Sequence, residues 1–89
     1  MVMERYDSAM VDFNSAIAND KSNFIAHFNR SLVYANTNRP VNAIEDLNNA
    51  IQIDSTNSLT YFNRAILRAQ IGDYNRALDD YDRVAIRNP

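Results

Sequence analysis

The sequence repeats itself with a period of 34 residues, the separation of His27 from Tyr61. The segment HFNRSLVYA, residues 27–35, returns as YFNRAILRA, residues 61–69. The same shift carries the N-terminal segment onto the middle of the chain. Seven residues recur there unchanged, namely Ala9, Asp12, Asn14, Ala16, Ile17, Asp20 and Asn23. A fixed period of this length predicts a stack of similar units, each burying its apolar side against its neighbours.

Each unit is predicted to be a pair of helices. The chain has 89 residues with one Gly and two Pro, too few turn-forming residues for a β-sheet protein. Asn23 and Asn57 stand where a helix N-cap is expected, and Asn38 and Gly72 stand where a left-handed residue would end the same helices. We predict first helices over 24–37 and 58–71, second helices over 41–53 and 74–87, and a lone second helix over 6–19.

The segment YFNRAILRAQIGDYNRALDDYDRVAIRNP, residues 61–89, resembles the tetratricopeptide repeat (TPR) family. It carries the turn GDY, a small residue at Ala77, an aromatic at Tyr81 and a terminal Pro89. The resemblance implies an all-α fold, a TPR-type solenoid of antiparallel helix pairs in a right-handed superhelical stack of about five helices. Residues 1–23 would be the second helix of a truncated first repeat, 24–57 a complete repeat, and 58–89 a repeat ending at Pro89.

Composition and charge argue against several function classes. Nine basic and eleven acidic side chains give a net charge of −2, so no basic field favours nucleic acid or a membrane surface. There is no cysteine, hence no disulfide or thiolate metal site. No apolar run is long enough to span a membrane, and the N-terminus does not resemble a signal peptide. The compartment stays open, with a weak lean to the cytoplasm.

Reactive groups do not converge in this sequence, so we expect no enzyme activity, cofactor or metal site. The single histidine, His27, falls at a core-facing position, and one glycine cannot form a phosphate-binding loop. Asp46 and Asp80 are expected on solvated helix surfaces beside basic residues rather than at a metal.

One stripe of each first helix is the predicted binding surface, because the two stripes match at every step: branched apolar, Asn, branched apolar, amide. TPR arrays turn their first helices into a concave groove, so the resemblance places these stripes there. A carboxamide both donates and accepts, and two of them one repeat apart could hold a peptide backbone. The predicted groove residues are Ile25, Phe28, Asn29, Leu32, Asn36, Leu59, Phe62, Asn63, Ile66 and Gln70.

Arg30 and Arg64 follow the two groove asparagines but point elsewhere, about 100° further round the helix. We expect them at the edge of the helix pair, bound to acidic residues among Glu45, Asp46, Asp79 and Asp80. The motif NRS also resembles TPRs that clamp a C-terminal carboxylate, which requires basic side chains on neighbouring first helices. This chain has Leu59 and Asn63 at those places, so we expect a neutral, partly apolar peptide ligand.

Two alternatives follow from the apolar helices at both ends of the array, which carry Tyr6, Phe13, Leu78 and Tyr81. Either the sequence is a piece of a longer array, or it completes itself by self-association or helix exchange. The leading function is therefore a protein–protein interaction module, and the alternative is an oligomerisation element whose apolar ends stack.

Overall fold

The computed structural model describes the backbone of residues 2–87 and the side chains of residues 5–86. Five α-helices account for the described part: α1 (Val2–Asn19), α2 (Phe24–Asn36), α3 (Pro40–Ile53), α4 (Ser58–Gln70) and α5 (Tyr74–Arg87). They pack in chain order, each against the next, as stacked helix pairs do. The all-α fold is as expected; α1 begins at Val2, earlier than predicted, and the terminal Pro89 lies outside the described residues.

The helix ends follow the residues that the sequence places there. The side chain of Asn23 accepts from the backbone N–H of Ala26, and that of Asn57 from Leu59 N–H. Asn38 and Gly72 are the described residues with positive φ, at 61° and 85°. Each lies between a first helix and its second helix, where the chain must turn sharply and a left-handed residue lets it do so.

The core lies between the two helix pairs and is made of small and branched side chains. Ala43 and Leu47 of α3 pack with Leu67 of α4, and all three are buried. Phe28, Tyr34 and Ile44 are half-buried against this cluster. The buried Ala43 has a small side chain that lets neighbouring helices come close, and Leu47 fills the space between repeats.

None of the described helices is both long enough and apolar enough to cross a membrane.

Candidate functional site

The predicted groove stripes lie on the surface of α2 and α4. Apart from Phe28, which is half-buried against the core, their apolar side chains are open to solvent, from Ile25 at 68% exposed to Ile66 at 37%. Leu32, Leu59 and Phe62 are exposed too, as are Asn36 and Gln70. The opposite side of the same helices is closed: His27 and Ser31 of α2, and Tyr61 and Ala65 of α4, are buried. Each first helix therefore has one packed side and one open apolar side.

Asn29 and Asn63 sit half-buried in the middle of these stripes. Asn63 lines a hollow of about 110 Å³ between α2 and α4, together with Leu32, Ile66 and Gln70. Leu47 of α3 reaches this hollow from beneath. The structure thus brings four of the predicted residues, from two repeats, to one small depression.

Arg30 and Arg64 do not face this surface. The Arg30 guanidinium reaches the carboxylate of Asp46 through Nε (2.7 Å) and Nη2 (2.6 Å). Its Nη1 donates to Oδ1 of Asn14 on α1 at 2.9 Å. One arginine on α2 therefore ties the helix before it to the helix after it. The hydrogen bond with Asp46 raises the pKa of Arg30 above its ordinary value, although burial opposes this.

The same arrangement recurs one repeat later. Arg64 donates to Asp80 through Nε (2.9 Å) and Nη2 (2.7 Å), and through Nη1 to Oδ1 of Asn48 at 2.8 Å. Arg68 adds a further bond to Asp80, from Nη1 to Oδ2 at 2.8 Å. The Asp80 carboxylate thus accepts from two arginines, and a two-pronged contact of this kind is among the stronger hydrogen bonds in proteins.

Asp46 and Asp80 are not on a solvated surface, which corrects the sequence-based expectation. They are 1% and 0% exposed. A buried carboxylate is tolerated only when it is paired and hydrogen-bonded, and each is held by an arginine from the first helix of its own repeat. The arginines are also further inside than the predicted edge position, with the Arg64 side chain 13% exposed.

His27 is buried and belongs to the same network. Its Nδ1 lies 3.3 Å from Oδ1 of Asp46, and its Nε2 lies 3.0 Å from the carbonyl oxygen of Lys21. The core position was expected, but the bond to the buried carboxylate was not. The ring joins the turn after α1 to α3 rather than standing ready as a catalytic group.

A wide cleft of about 890 Å³ opens between α1 and α3, with His27 and Arg30 among its lining residues. One repeat later Tyr61 takes the place of His27 and Arg83 that of Asn49. There the Arg83 guanidinium lies 5.6 Å from the centre of the Tyr61 ring. The two repeats therefore differ on this side, whereas they match along the stripes predicted for the groove.

Among the described residues, no three His, Cys, Asp or Glu side chains are placed to hold a metal ion. Their buried charged groups are engaged in the two arginine–aspartate networks described above.

Asn14 and Asn48 were not predicted as the partners of Arg30 and Arg64. A usable signal was present: Asn14, Arg30 and Asp46 are spaced 16 residues apart, as are Asn48, Arg64 and Asp80. Polar residues that recur at one fixed spacing in successive repeats are candidates for contact between repeats.

Comparison with known proteins agrees with the architecture. Residues 25–57 match the tetratricopeptide repeat family model. The second TPR of Spaghetti (RPAP3), bound to the HSP90 peptide SRMEEVD, superposes with a TM-score of 0.88 at 26% identity, over 93% of this chain and 77% of that chain. The first TPR of the same protein, bound to the same peptide, gives 0.90 at 24% identity, over 98% and 69%.

MamA from Desulfovibrio magneticus RS-1 gives a TM-score of 0.88 at 15% identity, over 96% of this chain and 48% of that chain, which shows a shared fold alone. No curated protein matches the sequence.

Proposed function

We propose that this chain, whose fold resembles that of solved tetratricopeptide repeat domains, is a protein–protein interaction module. In this proposal it holds a peptide segment or a partner helix against the open side of α2 and α4. The observation that carries the proposal is the contrast within each first helix. One side of the helix is buried against its neighbours, while large apolar side chains on the other side are exposed to solvent, Ile25 and Leu59 among them. Contiguous exposed apolar surface of this kind is typical of a binding site.

Two carboxamides supply the polar part of the proposed site. Asn29 and Asn63 are half-buried among apolar neighbours, so a ligand that covers the stripe removes their contact with water. Each amide can then satisfy both an N–H and a C=O of a passing backbone. The full proposed site is the set Ile25, Phe28, Asn29, Leu32, Asn36, Leu59, Phe62, Asn63, Ile66 and Gln70.

The solved RPAP3 domains support a peptide as the class of partner, because both were determined with a peptide bound. Their peptide SRMEEVD carries three acidic side chains. The stripe proposed here contains no lysine or arginine, and Arg30 and Arg64 are occupied by buried carboxylates. We therefore propose a neutral, partly apolar ligand segment.

The test is a binding titration by calorimetry against a library of neutral peptides with alternating apolar residues, with SRMEEVD as the acidic comparison. The best neutral peptide should lose about thirtyfold in affinity or more on Asn29→Ala with Asn63→Ala, since each ligand group left without its hydrogen bond costs on the order of 1–3 kcal/mol. Asn42→Ala, an exposed amide on α3, is the matched control. Unchanged binding by the double variant, or tighter binding of SRMEEVD, would contradict the proposal.

Self-association is the second candidate, favoured by a different surface. Tyr74, Leu78 and Ile86 of α5 are between 59% and 78% exposed. If they stack against another copy, light scattering should show a mass that rises with concentration, and Leu78→Asp should lower it. A monomer at every concentration removes this candidate.

A further inference from the structure

The two buried aspartates are held in the same pattern, but their third contact comes from different residues. Each carboxylate accepts two hydrogen bonds from the arginine 16 residues earlier. At Asp80 the third donor is Nη1 of Arg68, at 2.8 Å. At Asp46 the third contact is Nδ1 of His27, at 3.3 Å. One carboxylate therefore depends on a permanently charged donor, and the other on a ring that gains and loses a proton near neutral pH.

An exchange between two positions of the repeat produces this difference. A shift of 34 residues places His27 on Tyr61 and Tyr34 on Arg68. In the repeat of α2 and α3 the nitrogen donor comes first and the tyrosine second, and in the repeat of α4 and α5 the order is reversed. In both repeats the paired guanidinium lies over the tyrosine ring, at 5.8 Å and 5.5 Å from its centre. Each repeat thus keeps one ring and one extra donor.

The His27 ring lies between two groups that can only accept a hydrogen bond. Nδ1 faces the carboxylate of Asp46, and Nε2 lies 3.0 Å from the carbonyl oxygen of Lys21. A neutral imidazole carries one N–H, so it can keep only one of these bonds, whereas the imidazolium keeps both. Because the residue is only 5% exposed, water has little access to replace the bond that is lost.

Charged groups reach the ring from three elements. Asp46 on α3 favours a positive ring, while Arg30, on the same helix as the ring, is bound to that carboxylate and opposes a second positive charge. Lys21 and Asp20 lie in the turn after α1, where both are exposed and screened by water. The other cleft residues of α1 and α3 beside the ring are uncharged: Asn14, Ile17, Ala18, Asn49, Gln52 and Ile53. The carboxylate is thus the charged group in direct contact with the ring.

We propose that His27 is a proton-dependent clasp between α3 and the turn that joins α1 to α2. With the proton bound, the ring donates to Asp46 and to the Lys21 carbonyl and ties that turn to α3. When the proton leaves, one of the two bonds breaks and the turn is held less tightly. The matching contact at Asp80 is unaffected, because Arg68 stays charged. The clasp lies on the packed side of α2, so it is independent of the ligand proposed for the open side.

The repeat itself supplies the variant that tests the clasp. His27→Tyr combined with Tyr34→Arg gives the repeat of α2 and α3 the arrangement of the next repeat, and His27→Gln removes the titrating group alone. Urea denaturation of the full chain measures the equilibrium constant of unfolding at about pH 5.5 and about pH 8.5, on either side of the range in which histidines titrate. The protonated ring makes the additional bond in the folded protein, so stability is present at low pH and lost as the pH rises.

Between these two pH values the unfolding constant of the wild type should rise about tenfold relative to either variant, the factor that one charge-assisted hydrogen bond supplies. His27 is the single histidine of the chain, so NMR of its labelled ring nitrogens follows its proton directly. Both nitrogens should carry a proton at about pH 5.5, and the loss of stability should coincide with the loss of one of them.

Hydrogen exchange shows whether the effect is local. At about pH 5.5 the backbone amides of residues 20–23 should exchange about tenfold faster in His27→Gln than in the wild type, and those of the matching turn, residues 54–57, should change less than about twofold. The proposal is overturned by a wild type whose stability follows that of both variants at the two pH values. A single protonated ring nitrogen at about pH 5.5, or equal changes in both turns, also overturns it.

Discussion

Replacing Asp80 by asparagine tests how the buried network holds the last repeat together. The carboxylate accepts three hydrogen bonds, two from Arg64 and one from Arg68, at 2.7 to 2.9 Å. Asparagine keeps the shape but offers one oxygen, and its amide N–H₂ group would face guanidinium donors. It also removes the negative charge that Arg64 and Arg68 share, and the side chains of these two arginines are only 13% and 14% exposed.

The expected cost follows from that geometry. Breaking a buried ion pair by removing one partner costs about 3–5 kcal/mol, and we expect the lower end because both arginines keep some contact with water. A chain of this length has a total stability of about 4–13 kcal/mol. A loss of about 3 kcal/mol should therefore lower the melting temperature by about 12–24 °C.

Urea denaturation followed by far-UV circular dichroism measures the free energy of unfolding directly. The matched control is Asp79→Asn, the exposed neighbour on the same helix, which should cost less than about 0.5 kcal/mol. A second variant combines Asp80→Leu with Arg64→Met and Arg68→Met. Because this variant leaves no unpaired buried charge at these three positions, it should recover most of the free energy of unfolding that Asp80→Asn loses. If Asp80→Asn is as stable as Asp79→Asn, the assigned role of the carboxylate is wrong.

Three further outcomes follow from single positions. Thr60→Val should raise the free energy of unfolding, measured by urea denaturation, by about 1 kcal/mol, because the buried Thr60 hydroxyl has no hydrogen-bond partner among the described residues; a loss of stability would contradict this. Leu47→Ala should cost about 2–5 kcal/mol and Leu78→Ala less than about 1 kcal/mol, since the first side chain is buried and the second 59% exposed; equal costs would refute the packing argument. The hydrogen bond with Asp46 raises the pKa of Arg30 in the folded protein above its value in the unfolded chain. The stability that this interaction gives is fully present at any pH below the unfolded-state pKa, and it is lost only as the pH rises through the folded-state pKa. The stability difference between wild type and Arg30→Met should thus stay constant from about pH 8 to about pH 10, above the range in which histidines titrate, and a steady fall across that range would contradict it.

The helices and their ends could be predicted because they depend on local chemistry. An asparagine side chain at Asn23 or Asn57 caps the N–H groups two or three residues away, and Gly72 takes up a positive φ without steric cost. These interactions lie within one turn, so the sequence displays them directly. The exposed and buried stripes of α2 and α4 followed for a related reason, since helical spacing alone decides which residues share a face.

The interior of the charge network could not be predicted in the same way. Asp46 and Asp79 both precede or follow apolar residues on a second helix, yet one is buried and the other exposed. Asp46 is bound by Arg30, which comes 16 residues earlier and lies on another helix, and Arg64 binds Asp80 in the same way. A pairing over that distance is set by how the helices stack.

Residue spacing and contacts within one helical turn are enough to predict the 34-residue period, the helix pairs, their caps and the apolar side of each first helix. The packing of the helices determines that Asp46 and Asp80 are buried, that Arg30 and Arg64 join three helices each, and that Leu47 is enclosed while Leu78 stays exposed. Burial depends on what covers a residue, and that cover comes from another helix: one of the same repeat for Asp46 and Asp80, and one of the next repeat for Leu47.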